Sequence, residues 1–191
     1  MYERVDIEIR GICPLVIHNG QLADPLNEWS KRIKKITAKK KKTDEDYREV
    51  ARLEFLGSFY VNDKKEPCIP GENIEAMLIR AARRLKLGEA AATIVCDGNI
   101  PIIYDGPRSP EKLWEIDAFR FTKCARIGAK RIMRTRPIIR DWILKFLAGF
   151  NTGHLNLSEL GQILEVAAEM GCGDWRPKYG RFEIVSPKVF K

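Results

Sequence analysis

The sequence predicts an α+β domain with an antiparallel sheet, in the βαββαβ order of the ferredoxin-like fold. Apolar and polar residues alternate from residue 2, which predicts a long first strand running to about residue 18. Two later segments, 71–88 and 158–168, repeat apolar residues at helical spacing. Short β-type runs follow each helix. The 191 residues are enough to bury one core, so a single domain spanning residues 1–191 is predicted.

A helical insertion is predicted after the first strand, over residues 25–56. Asp24 and Pro25 precede apolar residues at helical spacing, and Pro25 suits the first turn of a helix. Thr43, followed three residues later by Asp46, is a capping signal for a second helix. The tip between the two helices can lie on a nucleic-acid backbone or remain a solvated loop. Its basic residues are Lys39, Lys40, Lys41 and Lys42.

The rest of the chain supplies the other strands and the second helix of the core. The predicted strands are 59–61, 67–69, 94–95, 100–104, 139–150 and 181–185. The periodicity of residues 139–150 favours a long inner strand but also fits a helix. Ser158 is the predicted cap of the second core helix.

The composition predicts a polyanionic partner. The net charge is +8, with an isoelectric point near 9.3, which is typical of nucleic-acid-binding proteins but also of basic ribosomal or membrane-surface proteins. The five cysteines form no CxxC pair, so neither a zinc site nor a disulfide framework is predicted, and no cofactor is expected. No signal peptide or membrane span is recognisable, so the prediction is a cytoplasmic protein with no membrane partner.

A glycine-rich loop before the last strand has the composition of a phosphate-binding segment. Its glycines are Gly171, Gly173 and Gly180, its cations are Arg176, Lys178 and Arg181, and its aromatic residues are Trp175 and Tyr179. Glycine lets the backbone close on an anion, the cations supply charge, and the rings offer faces on which bases stack. The alternative is a helix C-cap followed by a tight turn.

A second basic segment precedes the predicted inner strand. It holds eight cations in 21 residues: Arg120, Lys123, Arg126, Lys130, Arg131, Arg134, Arg136 and Arg140. In twisted strands or a hairpin, alternate cations would share a face and follow successive phosphates. No acidic residue lies between Lys123 and Arg140, so the repulsion is expected to stay unrelieved without an external anion. The alternative is a solvated charged face.

Three segments resemble those of a known superfamily. Residues 67–78, with the sequence PCIPGENIEAML, are similar to the "IPGSSLKGAL" segment of the RAMP superfamily, the RRM-like proteins that build CRISPR effector complexes. The glycine-rich loop resembles the second hallmark of that superfamily. Residues 13–20 are similar to the end of its first strand. Glu72 and Asn73 stand where small serines are usual, which indicates a diverged member of the kind carried by phages or other mobile elements.

The resemblance implies a non-catalytic backbone subunit with an RRM-like fold. Such a subunit would bind single-stranded nucleic acid, RNA before DNA, with little sequence preference. It would self-associate along the strand and could join other CRISPR effector subunits. A phage protein that joins or mimics a host CRISPR complex, or that binds single-stranded DNA in recombination or replication, is an alternative.

The other alternative is an endoribonuclease. The segment Ala23-Asp24-Pro25 resembles the loop that holds the cleaving aspartate in RAMP members that cut target RNA. Asp24 would then act on the ribose 2′-hydroxyl, with His18 as the acid or base. An aspartate before proline is also an ordinary residue at the start of a helix, and no catalytic metal ligand set is predicted.

Overall fold

The computed structural model describes residues 1–186, except the side chains of Ile127 and Lys130, and the α+β class with antiparallel sheets is confirmed. The α-helices are α1 (Glu28–Thr37), α2 (Asp44–Gly57), α3 (Gly71–Arg84), α4 (Gly88–Ala91), α5 (Pro110–Trp114) and α6 (Leu157–Met170). The strands are β1 (Tyr2–Gly11), β2 (Leu15–Val16), β3 (Tyr60–Val61), β4 (Pro67–Pro70), β5 (Val95–Cys96), β6 (Asn99–Pro101), β7 (Arg120–Ile127), β8 (Lys130–Ile139), β9 (Ile143–Asn151) and β10 (Phe182–Ser186). Among residues 1–186, no helix combines the length and the apolar character needed to cross a bilayer.

The largest sheet has four strands in the order β10-β1-β9-β5, and every neighbouring pair is antiparallel. The alternation of β1 places Ile7 opposite Phe146 and Ile9 opposite Leu144 on one face. These four side chains are buried in the core, together with the apolar faces of α3 and α6. The two amphipathic helices predicted from the sequence therefore cover the inner face of this sheet.

The first strand is shorter than predicted. β1 ends at Gly11, where an added Cβ would lie 2.1 Å from Nε1 of Trp142. Pro14 then breaks the pattern, because its nitrogen has no hydrogen to donate to a strand ladder. The apolar residues beyond it form β2, which pairs with β8 in a separate sheet. The predicted alternation is therefore correct as far as Gly11, where Trp142 lies against the backbone and leaves no room for a side chain.

The helical pair follows the prediction with one shift at its start. The helix predicted at Pro25 begins at Glu28, because the side chain of Asn27 accepts a hydrogen bond from the Trp29 amide at 2.9 Å. The capping box of Thr43 and Asp46 is confirmed at the start of α2. The C-terminal half of α2 is buried, so α2 anchors the pair to the core of its own domain.

The second basic segment forms the antiparallel β7-β8 hairpin, which joins β2 in a three-stranded sheet. Strand β9 covers residues 143–150 of the predicted run 139–150, so the strand alternative is correct for most of that run. The predicted cap of the last helix is wrong: α6 is capped by Asn156, whose side chain forms a capping box with Glu159. Ser158 is the second residue of α6 instead of its cap.

Candidate nucleic-acid interface

The glycine-rich loop is a closed turn held against the segment that follows β1. Gly171, Gly173 and Gly180 have positive φ angles of 81°, 77° and 74°. An added Cβ at Gly180 would lie 1.7 Å from the carbonyl oxygen of Cys172. The Gly180 amide donates to the Pro14 carbonyl at 2.8 Å, and the Gly171 amide donates to Ala167 at 2.8 Å. These two glycines shape the loop, and its side chains are what it presents to a ligand.

The two aromatic residues of the loop contact the β7-β8 hairpin. The rings of Trp175 and Tyr179 each pack edge to face on Phe121 of β7, with ring centres 5.2 Å apart in both pairs. We call these three half-buried rings the aromatic cluster. Together with Lys123 and Lys178, the aromatic cluster lines a cavity of about 290 Å³. The two segments that the sequence singled out separately therefore meet in one place.

Exposed cations lie on the same two segments as the aromatic cluster. On the hairpin and the loop they are Lys123, Arg126, Arg131, Arg176, Lys178 and Arg181. Within residues 1–186, none of these six side chains forms an ion pair with a carboxylate. The side chain of Lys130, also predicted to bind nucleic acid, lies outside the described part of the chain. This surface offers both charge and ring faces.

The inner cations of the hairpin have protein partners, which contradicts the expectation of unrelieved repulsion. Arg134 pairs with the buried carboxylate of Glu54, which also accepts the Thr135 amide at 3.0 Å. Nε of Arg136 lies 3.7 Å from Oδ2 of Asp174. A third arginine, Arg120, pairs with Asp117, and Arg140 donates to the Ala118 carbonyl. Most of these partners lie far away in sequence, so the basic run alone could not reveal them.

The lysine-rich tip lies at the turn between α1 and α2. Nζ of Lys39 lies 2.6 Å from Oδ1 of Asp46, and Lys42 donates to the Lys39 carbonyl at 2.9 Å. Lys40 and Lys41 are exposed. Two of the four lysines thus close the turn, and two remain available to a ligand.

The two residues predicted for catalysis do not meet in a common cavity. Asp24 is exposed, and its Oδ1 accepts the Leu26 amide at 2.8 Å, as in an ordinary turn. His18 is half-buried, and its Nδ1 has no hydrogen-bond partner among the described residues. Burial, followed by the charge of Arg136, lowers the pKa of His18 below 6.5, so its imidazole is neutral at pH 7. His18 lines two cavities, and Asp24 lines neither of them.

One of these cavities collects all three segments that carry the sequence resemblance. It has a volume of about 270 Å³. Its wall includes His18 from the end of the first segment, Asn73 and Arg80 from α3, and Asp174 and Arg176 from the glycine-rich loop. Sequence spacing gave no sign that these residues would share a cavity, because they come from positions up to 158 residues apart along the 191-residue chain.

The outer face of the four-stranded sheet has a different character. Lys145 pairs with Glu8 at 2.9 Å, and Arg10 lies 3.8 Å from Glu183. Because these cations are already paired with carboxylates, this face does not favour the binding of a polyanion. The ring of Tyr2 on this face lies over Gly149, where an added Cβ would come within 2.5 Å of it.

No protein-family model matches this chain, and no curated protein is significantly similar to it in sequence.

Proposed function

We propose that this protein binds single-stranded nucleic acid, RNA in preference to DNA, along the aromatic cluster and the outer half of the β7-β8 hairpin. The observation that carries the proposal is the packing of Trp175 and Tyr179 on Phe121. That contact joins two basic segments into one surface with stacking faces and cations. Bases stack on such rings whatever their identity, so little sequence preference follows.

The backbone of Trp175 supports a functional role for its ring. Trp175 has a φ angle of 52°, in the left-handed region that side chains other than glycine rarely adopt. A residue held there costs of order 1–3 kcal/mol, and such residues cluster at binding sites. The same backbone position directs the ring onto Phe121 and into the cavity beside Lys123.

The sheet order supports a ferredoxin-like, RRM-like core. In the order β10-β1-β9-β5, α3 lies in the chain between β1 and β5, and α6 lies between β9 and β10. Two such βαβ units with an antiparallel sheet are what the βαββαβ plan requires. The paired charges on the outer sheet face argue that the strand crosses the hairpin and loop instead of the sheet.

The RAMP resemblance extends the proposal to a backbone subunit that repeats along the strand and joins CRISPR effector subunits. The convergence of the three resembling segments on one cavity supports this extension. A single small domain covers only about 4–16 nucleotides, so protection of a long strand needs neighbouring copies. The exposed Lys40 and Lys41 at the tip of the helical pair are the side chains proposed to reach the strand bound by a neighbour.

Fluorescence anisotropy with labelled single-stranded RNA and DNA tests the proposal. Tyr179→Ala removes one stacking face and is expected to weaken binding about 5- to 150-fold, since stacking on an aromatic side chain is worth roughly 1–3 kcal/mol. Tyr2→Ala on the outer sheet face is the matched control and is expected to leave affinity unchanged. Equal affinities for wild type and Tyr179→Ala would overturn the proposal.

The same incubations test the endoribonuclease alternative. With and without divalent metal, the RNA is expected to stay intact on a denaturing gel. Cleavage that disappears in Asp24→Asn would replace the binding-only proposal with the enzymatic one.

A further inference from the structure

A second cavity lies beside the one that collects the three resembling segments, between α1, α2 and β8. Its volume is about 390 Å³, within the roughly 300–1,000 Å³ typical of small-molecule sites. Its charged and titratable wall residues are His18, Lys34, Glu54, Arg134 and Arg136. We call it the α1 cavity. It does not include the aromatic cluster, whose three rings line a different cavity.

Arg136 is the most unusual residue of this wall. Arg136 is only 8% exposed, and its Nε has no hydrogen-bond partner among the described residues. The nearest carboxylate oxygen, Oδ2 of Asp174, is 3.7 Å away, which is too far for a hydrogen bond. Asp174 therefore pairs with the charge of Arg136 but leaves its Nε–H without an acceptor, and a buried donor without an acceptor is costly.

The remaining groups set the charge that this cavity can accept. Lys34, Arg134 and Arg136 are cations, Glu54 is the single carboxylate of the wall, and His18 is neutral at pH 7. Glu54 accepts a hydrogen bond from one nitrogen of Arg134, which leaves the other donors of that guanidinium for a ligand. Asp174, which pairs with Arg136 from the neighbouring cavity, is a second carboxylate close to these cations, so three cations face two carboxylates and positive charge remains in excess. This excess favours an anion, and a phosphate monoester supplies about −1.5 to −2 charges and several acceptor oxygens at neutral pH.

We infer that the α1 cavity binds a phosphate monoester. Arginine forks bind phosphate oxygens through paired hydrogen bonds, and Lys34 adds a point charge from α1. The volume exceeds that of a phosphate group alone, so the cavity leaves room for a sugar that bears the phosphate. The group is either the terminal phosphate of a strand or a free mononucleotide, and the two sources share this chemistry.

The inference is independent of the strand-binding proposal, because it is tested first with inorganic phosphate and no nucleic acid. Calorimetric titration of the whole protein in a chloride buffer is expected to detect one phosphate site. Lys34→Gln is expected to weaken phosphate binding at least ~10-fold, equivalent to about 1.4 kcal/mol of binding free energy. Lys35→Gln is the matched control, since Lys35 is a neighbouring exposed lysine of α1 that does not line the cavity.

Arg136→Gln is the second variant, with its fold checked by circular dichroism. A folded Arg136→Gln protein is expected to lose phosphate binding, and if it does not fold, Lys34→Gln alone decides. Tyr179→Ala is expected to retain phosphate binding. Absence of a phosphate site in the wild type, or equal weakening by Lys34→Gln and Lys35→Gln, would overturn the inference.

Two further arms distinguish the sources of the phosphate. If the ligand is a strand end, a 5′- or 3′-phosphorylated oligonucleotide is expected to bind more tightly than its hydroxyl-ended form, and the gain is expected to vanish in Lys34→Gln. If the ligand is free, adenosine 5′-monophosphate is expected to bind as one equivalent without affecting the affinity for hydroxyl-ended strands. Adenosine without phosphate is expected not to bind.

Discussion

Removing cations beside the aromatic cluster is expected to change how strongly salt weakens strand binding. Six exposed cations of the hairpin and the loop have no carboxylate partner among residues 1–186: Lys123, Arg126, Arg131, Arg176, Lys178 and Arg181. For single strands the slope of log K against log salt is about −0.7 per neutralised phosphate, so six contacts predict about −4. Affinity would then fall about 300-fold over a fourfold rise in salt. Replacing Arg176 and Lys178 by glutamine is expected to reduce the slope to about −3 and the loss to about 50-fold.

The measurement is fluorescence anisotropy with a labelled single strand at four or more potassium chloride concentrations. Arg10→Gln with Lys145→Gln is the matched control, because it removes the same net charge from the outer sheet face, where both cations pair with carboxylates. The control is expected to keep the wild-type slope. If both double variants shift the slope equally, the interface is set by net charge alone and the localisation of the strand to the hairpin and loop is refuted.

Three further outcomes are expected. Glu54→Ala leaves a charged arginine and an amide without their buried partner, so urea unfolding should show a loss of about 3–5 kcal/mol in the free energy of unfolding. Glu49→Ala, which removes two ion pairs at the surface, should cost about 1 kcal/mol or less, and similar losses in the two variants would contradict this account of the Glu54 pair. The pKa of His18 is below 6.5 in the folded state, so the unfolded chain takes up the proton first as pH falls, and the free energy of unfolding should decrease below about pH 6.5. His18→Asn should flatten that part of the profile of unfolding free energy against pH, and an unchanged profile would assign the dependence to other groups. Lys40→Glu with Lys41→Glu should reduce the cooperativity of binding to long strands, while the affinity for a short strand changes little. Electron microscopy of the wild type on long strands should show regular oligomers, and the double variant should form fewer of them. Strictly one-to-one binding by the wild type would remove the assembly proposal.

The sequence alone determined the features that depend on neighbouring residues. The capping box of Thr43 and Asp46, the amphipathic helices α3 and α6 and the alternation of β1 are local patterns, and all four are present, although α3 ends at Arg84, before the predicted end at residue 88, and β1 ends at Gly11. The same holds for the positive φ angles of the loop glycines, which only glycine adopts without strain. The helix starts were predicted less well, because several polar residues near each start can serve as the cap.

Tertiary structure decided which distant residues meet. Glu54 and Arg134 are far apart in sequence, so the partner that relieves the hairpin's repulsion could not be inferred from the basic run itself. In the sequence Phe121 is one aromatic residue among many cations, yet in the structure it is the contact that unites the hairpin with Trp175 and Tyr179. Likewise, only the packed structure shows that Trp142 lies against Gly11, the last residue of the first strand. Side-chain periodicity records which face of an element is buried, but the identity of the group on the other side depends on how the elements pack in three dimensions.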